Sequence, residues 1–202
     1  MSTVDRVQAE VMQDLLRGGI MPGHWLRQDE LAERLGVSKI PVREALQRMV
    51  ASGLLRMEPN RGVVVPQLTA AEAEEIFGLR RGIEPQLLER ALPMLSIVHL
   101  AEAEVALGDD RAPVAEANWA FHAALYRASG WERGVGVAEI LHVAVAPYVA
   151  LYTEELDGGT HSHDEHRAIL DACRAGDGEW AVQILLSHLG SAERTLARCL
   201  AR

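Results

Sequence analysis

Apolar residues recur at helical spacing along most of this chain, and breaks in that rhythm mark its elements. Val4, Val7, Val11, Leu15 and Leu16 form one stripe, which predicts an amphipathic helix over residues 4–17. Gly18-Gly19 stops it, and Met21-Pro22-Gly23 reads as a turn. Gln28 to Leu35 predicts a short helix, with Ala32 small enough for close approach by a neighbour and Gly36 free to make a sharp turn. Val42, Ala45, Leu46, Met49 and Val50 then predict a second helix. Ser38 is its expected N-cap, and Pro41 falls in the first turn, where a missing N–H breaks no bond. Ser52-Gly53 closes it. Leu54–Glu58 and Val63–Val65 read as two strands joined by the turn Pro59-Asn60-Arg61-Gly62.

Beyond Pro66 the pattern predicts helices only. Thr69 with Glu72 is a capping box opening a long helix to Leu92, which ends before Pro93. Ser96 to Leu107 follows, closed by Gly108, and Pro113 opens a helix ending at Ser129-Gly130. Val135 to Tyr152 is apolar nearly all round, which predicts burial, and Pro147 predicts a kink. Asp157-Gly158-Gly159 reads as a loop, Ser162 with Glu165 as a second capping box, and Asp177 as the cap of a last helix reaching Arg198. The expected fold is therefore mainly α: a winged helix-turn-helix (helices plus a small β hairpin) over 1–66, a linker at 67–69, and an all-α bundle of about six helices over 70–202.

Composition narrows the class. With 202 residues, 49% hydrophobic and 24% charged, the chain is expected to fold into one or two domains. No early apolar run resembles a secretory signal, and the longest uncharged apolar stretch, Ile140 to Thr153, is too short for a membrane span. Cys173 and Cys199 share no metal or redox spacing, which places the protein in a reducing cytoplasm. The net charge of −9 argues against nucleic acid when taken whole. It is unevenly spread: residues 1–66 hold nine Arg/Lys against eight Asp/Glu, and the remainder holds eleven against twenty-one. The first part is close to neutral and must act through placement of its cations.

That placement is specific. Lys39, Arg43 and Gln47 stand four residues apart, opposite the apolar stripe of their helix. Arginine, lysine and amide groups in line on one face suit the major groove; an ordinary amphipathic helix with a solvated polar face is the alternative. Arg61 and Gly62 form the tip of the hairpin, where a cation reaches a phosphate or the minor groove. In the second part, Asn118 and His122 lie four apart on one helix, His166 lies early in the penultimate helix and His188 midway along the last. Three imidazoles and one oxygen from three helices would make a metal site in the bundle core, although each histidine singly is an ordinary core or surface residue. His161 and His163 read as loop residues beside it.

Pro22-Gly23, the stretch Gln28 to Leu35, Gly-Val-Ser-Lys-Ile-Pro-Val-Arg-Glu-Ala-Leu at 36–46, Gly53-Leu54 and Asn60-Arg61-Gly62 resemble the GntR family of bacterial transcription regulators over about residues 5–66. Lys39, the sole lysine, stands where Arg is usual, and Ile40 where a small hydroxyl residue is usual. Lysine keeps the charge and loses the bidentate fork. The resemblance implies base reading by Arg43, with Arg27, Ser38, Lys39, Gln47, Arg48, Arg61 and Gly62 completing the DNA-binding set. Arg27, Lys39, Arg48 and Arg61 are expected mainly to position the protein on the backbone.

Asn118-Trp119-Ala120-Phe121-His122, Glu165-His166-Arg167-Ala168-Ile169-Leu170-Asp171-Ala172 with Gly176-Asp177, and His188-Leu189 look like the FCD domain of FadR-type members, over about residues 70–198. This implies Asn118, His122, His166 and His188 as metal ligands, with Asn118 where metal-binding members carry Asp. It also implies an organic acid effector beside the ion. The neutral amide removes one formal charge, so the ion would either bind more weakly or draw more strongly on an anionic effector. Zinc is the expected ion, with nickel or another first-row metal as alternatives. Arg80 and Arg81 are candidates for clamping the effector carboxylate; salt-bridged or solvated arginines are the plainer reading.

Together these features describe a cytoplasmic homodimeric repressor that reads a palindromic double-stranded operator and answers to a small carboxylate, with no membrane partner. The rivals are a metal-dependent hydrolase, which lacks a clearly placed general base, and a regulator with a purely structural metal.

Overall fold

The computed structural model describes residues 2–109, 111–155 and 158–201, and their side chains outside 150–161. Among the described residues there are nine α-helices and one three-stranded sheet. The chain divides into two compact units, Met1–Leu68 and Thr69–Arg202.

In the first unit, α1 (Thr3–Leu16) is opened by a capping box between Ser2 and Asp5. Helices α2 (Gln28–Leu35) and α3 (Lys39–Ala51) follow, with Gly36 between them in the left-handed region at φ +63°. Helix α3 packs on α1 and α2 through Val42, Ala45, Leu46 and Met49, against Val7, Val11, Leu15 and Leu31. Ser38 occupies the N-cap position in extended conformation, but its hydroxyl accepts no cap bond, so the expected side-chain cap is absent. The hairpin is β2 (Arg56–Glu58) and β3 (Gly62–Val64), shorter than the sequence predicts because Leu54 and Leu55 turn inward as core residues before the ladder begins. Asn60 at φ +63° makes the turn. A strand not anticipated, β1 (Trp25–Leu26), pairs antiparallel with β3, so the sheet order is β1-β3-β2.

The second unit contains α4 (Ala70–Ala91), α5 (Ile97–Leu107), α6 (Val114–Tyr126), α7 (Glu132–Glu155), α8 (Gly158–Ala175) and α9 (Gly178–Leu200). The Thr69–Glu72 box caps α4 as predicted, and Asp177 caps α9 by accepting from the Trp180 amide. Helix α4 packs against α9 and α7, α6 against α5 and α7, and α8 against α9. Gly134 permits the close approach of α7 to α4: a Cβ there would stand 2.9 Å from Leu87 Cδ2.

Helix α8 begins at Gly158, one turn before the predicted Ser162, so Gly158 and Gly159 are helical and Ser162 lies inside the helix instead of at its start. Asp157, and the side chains of residues 150–152 at the end of the predicted buried stretch, lie outside the described residues. His161 and His163 lie on α8 and not in a loop; His163 is exposed, and the side chain of His161 lies outside the described set. Helix α7 continues through Pro147, and its residues 141–149 are mostly buried, as the apolar pattern requires. No described helix is long and apolar enough to cross a membrane.

Candidate functional site

The buried stripe of α4 runs Ala73, Phe77, Arg80, Glu84, Leu87, Leu88 and Ala91, so two charged residues sit where apolar ones are expected. Opposite them, α6 directs His122 inward, α8 His166 and α9 His188, all buried. The triad's ligand atoms lie within 4.8 Å of one another. His166 Nε2 stands 3.2 Å from His122 Nε2 and 3.2 Å from His188 Nε2. Such spacing is close to the ~3.3 Å edge of a tetrahedron with ~2.0 Å bonds, the geometry of imidazole around zinc. The donor set therefore fits a divalent transition metal.

The outer nitrogens of two of these rings have partners. His188 Nδ1 lies 2.8 Å from Glu165 Oε2, and His122 Nδ1 lies 3.2 Å from the Tyr126 hydroxyl. Ring partners of this kind orient metal-ligating histidines. Burial, and then the neighbouring imidazoles, hold the His122 and His166 pKa values well below the ordinary histidine range, so both rings are neutral and able to donate lone pairs. Phe121 packs against His166 with ring centroids 4.6 Å apart, which fixes the ring from its apolar side.

Behind the triad is a second polar cluster that the sequence reading missed, apart from Arg80. Arg80 Nε donates to Glu84 Oε1 at 2.6 Å, Arg80 Nη2 meets His142 Nε2 at 2.8 Å, and the Tyr126 hydroxyl donates to Glu84 Oε2 at 2.7 Å. Burial pushes the Glu84 carboxyl up, but the Arg80 guanidinium, with help from His142, outweighs it and holds the group well below the usual carboxylate range. Burial, reinforced by Arg80, lowers His142 to about 4. The legible signal was the position of Glu84 and Arg80 on the apolar stripe, and of His142 in an otherwise apolar helix.

A cavity of about 50 Å3 opens beside the triad, lined by Arg80, Asn118, His142, Glu165, His188 and Ser191 among others. Asn118 also lines a hollow on the other side, with Phe121, His163 and His166. Asn118 thus borders both flanks of the histidines, one turn before His122. Arg80 faces the cavity as a paired cation. Arg81 is not among the residues lining it: its guanidinium is held bidentately by Glu193, with contacts of 2.5 and 3.2 Å, the salt-bridged arrangement that was the plainer expectation.

On the first unit, Ser38, Lys39, Arg43 and Gln47 are exposed along one side of α3, and Arg27, Arg48, Arg61 and Gly62 are exposed too. Lys39 Nζ lies 2.7 Å from Asp29 Oδ1, and Arg48 Nη1 lies 3.1 Å from Asp5 Oδ1. Arg27 lies 3.7 Å from Glu30, and the Arg61 guanidinium stacks over Trp25 at 5.2 Å. Among the described residues Arg43 makes no ion pair, so its guanidinium is available to a partner outside the chain.

Residues 3–65 match the family of bacterial regulatory proteins termed gntR, and residues 75–191 match the FCD domain. The chain is 29% identical over 200 residues to a protein of Paenarthrobacter nicotinovorans named "Probable D-xylose utilization operon transcriptional repressor", covering 94% of this chain and 87% of the other. It is 29% identical over 187 residues to the HTH-type transcriptional regulator McbR of Escherichia coli strain K12, covering 86% and 83%. The solved structure of E. coli McbR/YncC superposes with a TM-score of 0.88 at 25% identity, over 98% of both chains.

Proposed function

The chain belongs to the gntR family of bacterial regulatory proteins and carries an FCD domain, and from that premise we propose a homodimeric repressor whose hold on a palindromic operator is set by a small carboxylate bound at a metal centre. The family membership makes it a DNA-binding transcription regulator and not an enzyme. The finer reading rests on one observation above all: three buried imidazoles converge in the core of the second unit, with His166 Nε2 at 3.2 Å from the Nε2 atoms of both His122 and His188.

In this reading His122, His166 and His188 hold a divalent ion, zinc or another first-row metal, and Asn118 supplies the oxygen. A bound ion would supply positive charge to a carboxylate in the adjoining cavity. Arg80 lines that cavity and adds a second cation on its wall. Arg43, free of ion pairs among the described residues, reads base edges together with Gln47. Lys39, Arg27, Arg48 and Arg61 contact phosphates, Ser38 offers its free hydroxyl, and Gly62 lets the wing approach the backbone closely. Two copies related by a two-fold axis would read two half-sites. The effector alters operator affinity only by binding one arrangement of the dimer better than the other.

The hydrolase alternative still lacks a placed general base. Among the described residues, Glu165 is the carboxylate in contact with the triad, and it is paired with His188 Nδ1 at 2.8 Å. Titrating zinc and a panel of small carboxylic acids into the protein bound to a genomic operator fragment, followed by fluorescence anisotropy, tests the proposal. A metal-dependent response to a carboxylate is expected. Operator binding indifferent to both, in a protein that purifies without metal, would overturn it.

A further inference from the structure

We propose that Trp25 is a positioning residue for DNA binding: its indole holds the Arg61 guanidinium by the flat face, so that the donors at the wing tip meet a backbone phosphate already ordered. This rests on the reading of Arg61 as a phosphate contact, and its test separates the two.

The sheet fixes the indole. Trp25 lies on β1 in register with Val64 of β3, and Leu26 with Val63. Just beyond that pair the Val65 amide donates to the His24 carbonyl at 3.0 Å, and the Gly23 amide to the Val65 carbonyl at 2.8 Å. Leu26 and Val63 are buried, so alternation along the strand turns Trp25 to the other face, where it is half-buried. Arg61 stands immediately before β3, after the turn made by Asn60, and its amide donates to the Glu58 carbonyl at 3.1 Å. With the backbone closed there, the exposed side chain reaches back along β3, and its Cζ lies 5.2 Å from the centre of the Trp25 ring.

The kind of contact sets Arg61 apart. Lys39, Arg48 and Arg27 are met by the carboxylates of Asp29, Asp5 and Glu30, and a phosphate has to displace those oxygens. Arg61 makes no ion pair among the described residues and is held by a neutral ring instead. A ring takes the face of a guanidinium and leaves its N–H groups, which lie in the plane, to other acceptors. Stacking on Trp25 and binding a phosphate are therefore compatible. An unstacked arginine at a wing tip loses its rotamer freedom on docking, and the stack makes much of that loss in advance. Phosphate contacts carry no sequence information, so the contribution of Trp25 applies to any duplex alike.

Fluorescence anisotropy of the full chain on a labelled duplex of random sequence, repeated over a range of salt, tests this. Arg61→Ala is expected to weaken binding and to flatten the slope of log affinity against log salt by about 0.9, the share of one phosphate. Trp25→Leu is expected to weaken binding about two- to tenfold with the slope kept, because the charge remains and only its ordering is lost. Trp25→Tyr keeps a ring face and should retain most of the affinity. In the Arg61→Ala background, Trp25→Leu should add nothing. Unchanged or tighter binding by folded Trp25→Leu, or an equal loss with and without Arg61, would overturn the proposal and leave Arg61 as a phosphate contact. Arg61→Ala binding like the unaltered protein would remove that contact and the proposal with it. If Trp25→Leu does not fold, NMR of the unaltered 15N-arginine-labelled protein decides. The Arg61 Nε–H proton is expected upfield in the ring current of Trp25, both free and on DNA, and an unshifted proton would overturn the stack.

Discussion

Arg80 and Glu84 face each other across one turn of α4, Nε to Oε1 at 2.6 Å, with almost none of either side chain reaching solvent. Two opposite charges have been taken out of water together, and neither tolerates loss of the other. Glu84→Gln leaves a guanidinium buried without its counter-charge. Unfolding in urea should show a loss of about 3–5 kcal/mol. A change below ~1 kcal/mol would mean that water or another group compensates Arg80.

Acid should destabilise the metal-free protein well before its carboxylates titrate. His142 is lowered to about 4 by burial and then Arg80, and His122 and His166 are lowered by burial and then by their neighbours. Above the ordinary value of 6.5, neither folded nor unfolded chain protonates these rings and they are neutral with respect to stability. Below it the unfolded chain takes up protons that the folded chain refuses, so stability falls as the pH drops from 6.5 towards 4. Each such group contributes up to about 1.4 kcal/mol per pH unit in that window. A melting temperature that stays flat between pH 7 and pH 5 would contradict this.

Asn118→Asp restores a formal negative charge beside the triad. Calorimetric titration of the apo protein should show tighter zinc binding in the variant, by about tenfold. Equal affinity would remove Asn118 from the ligand set.

Arg43→Ala should leave the fold intact, because the side chain is exposed and makes no ion pair among the described residues. Binding to the operator should fall to the level of unrelated DNA, a loss of about 1–3 kcal/mol per base pair misread. Competition between operator and random duplex in an anisotropy assay measures it, and retained preference for the operator would sink the assignment of base reading to Arg43.

How far the sequence foretold this molecule depended on how local each signal was. Gly36, Pro41 and the Val42–Met49 stripe are short-range devices, and the two helices they specify formed where expected. Glycine at 158 and 159 suggested a loop, yet helix packing on α7 and α9 carried α8 through them. Trp25-Leu26 is two residues long, too brief for any periodicity, and exists as a strand only because β3 lies beside it. His122, His166 and His188 could be marked because their sequence neighbours resembled a known pattern. Glu84 and His142 stood out only as polar residues on apolar stripes, and what they pair with could not be read, since the contacts that join them and Tyr126 into one cluster span 42 and 62 residues. Glu165 shows the limit most clearly: adjacent to His166 in sequence, it serves His188 in space.

Lys39 is the only lysine in the chain, and it stands on the outer face of α3, pinned lightly to Asp29 with 65% of its side chain in solvent. The surface assigned to the duplex therefore carries the molecule's sole side-chain amine. Apart from the N-terminal amine, an acylating reagent would write its label at that one spot, and a bound operator would shield it, so mass spectrometry of the Lys39 peptide would report occupancy without mutation or dye.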